Sequence, residues 1–499
     1  FDPLILAHVA GGGLILGRGA FALTGTDTIV FGPTSTLDLV APEGIDLSAS
    51  TGTDIAGGTL SLQSGGQVGT LADPLQTALS TLDMTGTGTA PAPLVVLERD
   101  DLAIGTILQT VPGSDVTVTA GGAMTIGTIT TPAEAILTAA AILNGRIAAE
   151  RIELAANGTP GGIGTDSRMD LTAGTLRAQS LDGDILLGLR DRDTDIETIT
   201  AGGEGQIDIL ATDVALTLLA GPGMTTRGGT ILVQAGAFEA LADILSRTGD
   251  IELVTTNGLS FGPNTLVDSD GGPITLTAGT LLAMAEGARV LGGGPIEVTA
   301  GRLTQAANSL VDSLGGTLEV TVTNDMEQTA GSAMQSGIGT ILMDVGGNLR
   351  LARIETLNAT PDALNLTVGG SLSIAPGQPG PQLLANADGA RSVLRLGALV
   401  PVGPDGLGVA LDQLDLEVTT GPVHLNEQDG IDLQSVIARD GLIDIFGNGL
   451  MQVGTVSAPA SQPVVLTTSL GDLVSDAAVI SGSDIRLFAL DGQIGGTAG

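Results

Sequence analysis

The sequence runs to 499 residues with 76 glycines, seven phenylalanines as its only aromatics, and no tryptophan, tyrosine or cysteine. Fifty-five acidic residues stand against 18 basic ones, all arginine, leaving a formal charge of −37. The lack of cysteine excludes disulfides, thiol catalysis and zinc–thiolate sites. The acidic balance repels phosphate backbones and anionic lipid, which argues against nucleic acid as a partner. An aromatic share of 1% leaves little with which to line the deep pocket of an ordinary enzyme. The apolar fraction of 42% is too high for a disordered chain, and its small aliphatic make-up points to a thin, regular core.

Taken from the N-terminus, the chain opens FDPLILAHVA, which has no basic n-region and is not an intact signal peptide. No run of 18 apolar residues occurs, so no membrane span is expected. His8 and His424 lie far apart and in no metal-ligand spacing. The threonine runs TGTDT at 24–28 and TGTGT at 85–89 do not recur at one repeat position, as an ice-binding face would require. From about 63 to 115, through TAPAPLVVLERDD, the repeat register is lost. Proline cannot sit inside a central ladder, so this stretch reads as an irregular or protruding coil. Residues 132–154 are alanine-rich enough for a helix, yet Ile136 and Ile152 keep to the repeat, which predicts strands. Ile136, Ile152, Met169, Ile185 and Ile207 serve as markers there, spaced 16 to 22 residues apart.

GGIGTD at 161–166 matches the start of a calcium-binding nonapeptide, but Arg168 replaces the next apolar position and no tandem copy follows, so chance explains it. DRDTDIE at 191–197 resembles the start of a calcium loop. An EF-hand needs Gly and Glu at the sixth and twelfth positions, where Ile196 and Gly202 stand. On a strand, Asp191, Asp193 and Asp195 would share one face at about 7 Å spacing, too wide for one ion. On a loop they could converge, and they are the candidate Ca2+ ligands.

The decisive signal is a repeat. TILVQAG, DIELVTT, PITLTAG, PIEVTAG, TLEVTVT and TILMDVG place Ile231, Ile251, Ile274, Ile296, Leu318 and Ile341 at intervals of 20 to 23 residues, and Leu364 follows. Ile443, Val464 and Ile485 continue at 21. Each unit holds about three alternating apolar segments separated by Gly, Asn or Ser. This predicts an all-β parallel β-helix (β-solenoid) of about 20–24 residues per coil, on the order of 20 coils, each strand pairing one coil on. The inward positions are Ile274 and Leu276, Ile296 and Val298, Leu318 and Val320. Glu297 and Glu319, and likewise Glu153 and Asp170, are expected to stack outward as like charges, a strain that divalent cations would relieve. A second irregular region runs from about 375 to 411, with Arg391 and Arg395 as candidate contacts for an anionic partner. The chain stops at DGQIGGTAG, where a new coil would begin, without a capping unit. This reads as one continuous solenoid segment, 1–499, of a longer polypeptide.

The coil GGPITLTAGTL, GGGPIEVTAGRL and the Gly-Ser-Ala-Met at 331–334 resemble the filamentous haemagglutinin-like large exoproteins of Gram-negative bacteria. The resemblance is best between 229 and 370. It implies a right-handed coil and an exported fibre at the cell surface, used for adhesion, biofilm or coating. The implied partners are further coils of the parent chain, laterally associated copies and a host or cell-surface glycan. The family's NPNG-type secretion motif does not occur; GPNT at 262–265 is not a match. No nucleophile elbow, P-loop or zinc motif is present. The expectation is a non-catalytic extracellular structural segment. The alternative is a phage tailspike-like or secreted polysaccharide-binding or -degrading β-helix.

Overall fold

A computed structural model describes the backbone of residues 6–10 and 13–16 and the whole of residues 29–45, 52–385, 387–400, 406–475 and 477–495. TGTDT at 24–28 and the side chain of His8 lie outside the described residues. The protein is all-β, with no helix among the described residues, and its parallel strands stack as a β-solenoid of about 21 turns. It divides into two compact units, Phe1–Phe238 and Glu239–Gly499.

In the first unit Leu6–Ala10 and Gly13–Leu16 pair antiparallel, and the strand pairs that follow are parallel. Leu37, Leu60, Leu82, Ile104 and Ile126 are successive ladder partners, all buried, and form one aliphatic column. Each such side chain contributes roughly 1.5–3 kcal/mol by leaving water. This column runs through 63–115, so that stretch is laddered and not an excursion. Its prolines sit between strands: Pro93 precedes the strand Leu94–Glu98, and its carbonyl accepts the N–H of Val68 at 2.9 Å.

Residues 132–154 form strands, Glu134–Ala139, Ala141–Ile142 and Arg146–Ala156, as the repeat predicted against helix propensity. The register within them differs from the expected one. Ala135 and Leu137 point inward and Ile136 outward, with Ala135 the partner of Ile152. Ile152 in turn stacks on Leu176, and Met169 on Leu187, so the 16- and 17-residue intervals compared different faces of the coil. The cause is that both faces of Glu134–Ala139 carry apolar residues, and alternation alone cannot tell them apart. The same shift overturns the stacking of Glu153 on Asp170. Glu153 lies beside Arg177, and Asp170 beside Arg146.

In the second unit Ile274, Ile296, Leu318, Ile341 and Leu364 form one buried column, and Leu276, Val298, Val320, Met343 and Leu366 the next. Glu297 stands opposite Glu319 on the outer face, as the spacing predicted. A typical coil comprises the strands Ile341–Val345, Leu349–Leu351 and Ile354–Glu355. One coil on, the pattern widens. Only Ala352 and Arg353 separate Leu351 from Ile354, but residues 375–382 separate their partners Ile374 and Leu383. The remainder of the 375–411 region contains laddered strands, Leu383–Ala385, Arg391–Leu399 and Leu407–Leu411. Among the described residues the protrusion is APGQPGPQ, where three prolines have no ladder to donate to; residues 401–405, within LVPVGPDGLG, lie outside the described residues.

Strand ends that turn inward carry polar side chains, which satisfy the turns. The hydroxyls of Ser64, Ser269, Ser313 and Ser336 donate to the carbonyls of Gly66, Gly272, Gly316 and Gly339 at 2.6–2.9 Å. Gln328 donates to Gln305 at 2.8 Å and accepts the N–H of Ala352 at 2.8 Å, a buried amide rung spanning three coils. These bonds answer the cost of burying turn backbone away from water.

Candidate functional site

The abundant aspartates have a structural task. At the corners a carboxylate accepts the backbone N–H of the next coil. In the first unit Asp83 accepts from Thr106 at 2.6 Å, Asp101 from Ala123 at 2.7 Å, Asp184 from Gln206 at 3.0 Å and Asp193 from Ala215 at 2.8 Å. In the second, Asp243 accepts from Leu266 at 2.9 Å, Asp325 from Asn348 at 2.8 Å and Asp472 from Gln493 at 2.8 Å. Donor and acceptor lie 21 to 23 residues apart in these pairs. Hydrogen bonds to charged acceptors are the stronger kind, contributing about 1.5–3 kcal/mol.

This arrangement accounts for the candidate calcium ligands. Asp193 is engaged with Ala215. Asp191 sits in an exposed bend at φ 66°, and Asp195 projects from the strand Thr194–Ala201 between Thr175 and Thr217. The three do not converge. Among the described residues no group of three or more His, Cys, Asp or Glu is placed to hold a metal ion.

Six of the 18 arginines, Arg146, Arg151, Arg168, Arg177, Arg190 and Arg192, fall within a few coils of the first unit. Arg151 joins Glu134, Glu153 at 3.4 Å and Glu197 at 3.0 Å, and Arg177 reaches Glu153 at 3.5 Å. Arg190 pairs with Asp170 at 2.6 Å. The hydrogen bond to Glu197, with that to Glu134, holds the Arg151 guanidinium above its usual range, and the same contact lowers the Glu197 carboxyl. The network ties coils together on their outer face. It presents paired charges, not a free cationic patch.

The protruding turn 375–382 builds a different environment. Together with the strands Leu407–Leu411 and Val423–Glu427 it borders a cleft of about 290 Å³. Among the described residues, the side chains lining it include four carboxamides, Gln378, Gln382, Asn426 and Gln428, and none that is charged. Gln382 is buried. Its Nε2 donates to the Gly380 carbonyl at 2.5 Å and its Oε1 accepts the Gly408 N–H at 2.8 Å, so it props the turn against the coil. Gln378 accepts the N–H of Gly331 at 2.9 Å. Asn426 and Gln428 project outward from a regular strand end, and among the described residues no hydrogen bond engages their carboxamides. Gly377 and Gly380 adopt φ 78° and 73°, where a side chain would strain the turn.

Arg391 and Arg395 lie on the strand Arg391–Leu399 and do not line this cleft. Arg391 Nε donates to Asp415 at 2.5 Å, which occupies it, while Arg395 is exposed beside Glu417.

Glu427 is fully buried at the inward end of its strand. Its Oε1 accepts the N–H groups of Gln428 at 2.9 Å and Asp429 at 3.3 Å, and its Oε2 that of Leu411 at 3.3 Å. Burial and the neighbouring Asp429 push its carboxyl up to about 9, against the lowering effect of the backbone N–H groups. Glu98 occupies the same kind of corner in the first unit. It accepts from Thr77 Oγ1 and Leu79 N–H at 2.8 Å each and from Arg99 N–H at 2.9 Å.

Sequence reasoning located the protruding turn but not the cleft, since Asn426 lies in, and Gln428 just beyond, a strand that keeps the ordinary pattern. The aspartate bonds also escaped it. In five of the seven pairs their signal is an Asp followed 20 to 22 residues later by a Gly, as in Asp83 and Gly105, Asp101 and Gly122, Asp184 and Gly205, Asp325 and Gly347, and Asp472 and Gly492. No protein-family model, curated protein or solved structure matches the chain.

Proposed function

We propose that this chain is a non-catalytic structural segment of an extracellular surface fibre or adhesin. The observation that supports the reading is where the chain spends its polar groups. Buried serines and glutamines satisfy the turns, and corner aspartates and outer ion pairs bind one coil to the next. A chain built this way resists unfolding and proteolysis from its surface, which is what exposure outside a cell demands. Among the described residues the cleft at 375–382 is lined by amides and not by the carboxylate pair that glycoside cleavage uses, so the reading favours binding there over hydrolysis.

The test is immunoelectron microscopy of the native producer with an antibody to this segment. Label along surface filaments or a coat supports the proposal. Label confined to the cell interior, or to short spikes on free particles, overturns it; the second outcome turns attention to a tailspike-like protein.

A further inference from the structure

We propose that the cleft between residues 375–382 and the strand Val423–Glu427 binds a neutral, hydroxyl-rich sugar residue, with Asn426 and Gln428 as its specificity-determining contacts. The inference deepens the adhesin reading and rests on the segment standing outside the cell.

Three observations carry it. The first is charge. Although the chain carries a net charge of −37, the described residues lining this cleft include no Asp, Glu or Arg, so they offer an ionic ligand no charged partner. The second is hydrogen-bonding capacity. A carboxamide presents a carbonyl acceptor and an NH2 donor side by side, a match for vicinal hydroxyls that each donate and accept. Gln382 and Gln378 are spent on holding the turn, whereas Asn426 and Gln428 keep both functions available toward the cleft. The third is the state of the backbone. Leu383–Ala385, Leu407–Leu411 and Val423–Glu427 are consecutive ladder neighbours, with Leu383 beside Val409 and Leu407 beside Leu425. The strand edges that an extended peptide would need for β-addition are therefore already paired. A volume of about 290 Å³ suits one or two sugar rings. The chain has no Tyr or Trp for stacking, so recognition must rest on hydrogen bonds.

The experiment is a screen of the purified full chain on immobilised neutral oligosaccharides of hexoses and N-acetylhexosamines, with sialylated and sulfated sugars alongside. Hits are followed by saturation-transfer NMR. Two variants accompany it, Asn426→Ala and Gln428→Ala, both on outward-facing positions that leave the ladder intact. Binding of at least one neutral sugar, weakened about tenfold or more in either variant with an unchanged melting temperature, is the expected result. Three results overturn the proposal: no neutral sugar bound, neutral binding untouched by both variants, or retention of anionic sugars alone. Failure here leaves filament label in the microscope unaffected, and failure of the surface-fibre reading leaves array binding unaffected, so the two are separable.

Discussion

Asp83 and Gly105 are a matched pair. The Asp83 carboxylate fills the space where a side chain on Gly105 would begin, and from there it accepts the N–H of Thr106 at 2.6 Å. Asp101 and Gly122 stand in the same relation at another corner, and Asp325 and Gly347 repeat it in the second unit. The glycine is needed because the aspartate is there.

Gly105→Ala is accordingly expected to destabilise the first unit by about 1–3 kcal/mol, through steric conflict with a bonded carboxylate. In an Asp83→Ala background the same substitution should cost much less, because the three atoms nearest that position all belong to the Asp83 carboxylate. A double-mutant cycle read from thermal melts checks this. Additive effects would refute the pairing.

Glu427 makes stability fall as pH rises. Its folded-state carboxyl holds a proton up to about 9, whereas in the unfolded chain it ionises near 4.5. Between these values the folded state binds more protons. The contribution is therefore fully present below about 4.5 and is lost as pH rises through about 9. Glu427→Gln preserves a neutral side chain at every pH. It should melt close to the parent protein at pH 5 and clearly higher at pH 9, because the parent alone loses stability across that interval. Equal melting curves at both pH values would rule this out.

Arg151→Ala removes the hub of the outer charge network and should cost about 1 kcal/mol, since its partners are half-exposed. The loss should shrink as salt is raised from 0.05 to about 0.5 M, because the screening length falls below the pair separations in the wider network. A salt-independent loss would point to packing by the arginine stem instead.

Glu297 and Glu319 repel across the ladder. Replacing Glu297 with threonine, the residue type of its partner Thr275 in the preceding coil, should stabilise the second unit by about 0.5 kcal/mol at low salt. If calcium or magnesium bridges the pair, a chelator should lower the parent's melting temperature and leave the variant's unchanged.

Grafting the Ala352-Arg353 link of the preceding coil in place of residues 375–382 should leave the melting temperature within a few degrees and abolish neutral-sugar binding. The graft restores the spacing by which Leu351 reaches Ile354, so the ladder has no reason to fail. Collapse of the fold would show that the turn is structural.

How far the sequence was legible depended on what the outer face carried. Around Ile274 and Ile296 the outward residues are Thr275, Thr277, Glu297 and Thr299, and the apolar alternation has one reading. In Glu134–Ala139 the outward Ile136 is more apolar than the inward Ala135, and the alternation points to the wrong face. Prolines misled in one place and guided in the other. Pro91 and Pro93 occupy a corner of ordinary length, while Pro376, Pro379 and Pro381 occupy a turn that has grown. Composition does not separate these cases, because only the position of the next ladder partner does. The cleft's two free amides were out of reach for a related reason. They are separated in sequence from Gln378 by two coils and meet it only once those coils are stacked.

The ladder of Ile274, Ile296 and Leu318 also governs how such a chain can change length. Excising residues 296–317 would leave Ile274 facing Leu318, with Leu276 facing Val320 and Thr275 facing Glu319, each an acceptable neighbour. Loss or duplication of a whole turn thus creates no new kind of interface. A gain of one residue inside a strand would instead exchange its inner and outer faces up to the next corner. Descent of such chains should therefore proceed in whole turns, with single-residue changes gathered at corners such as the one that became 375–382.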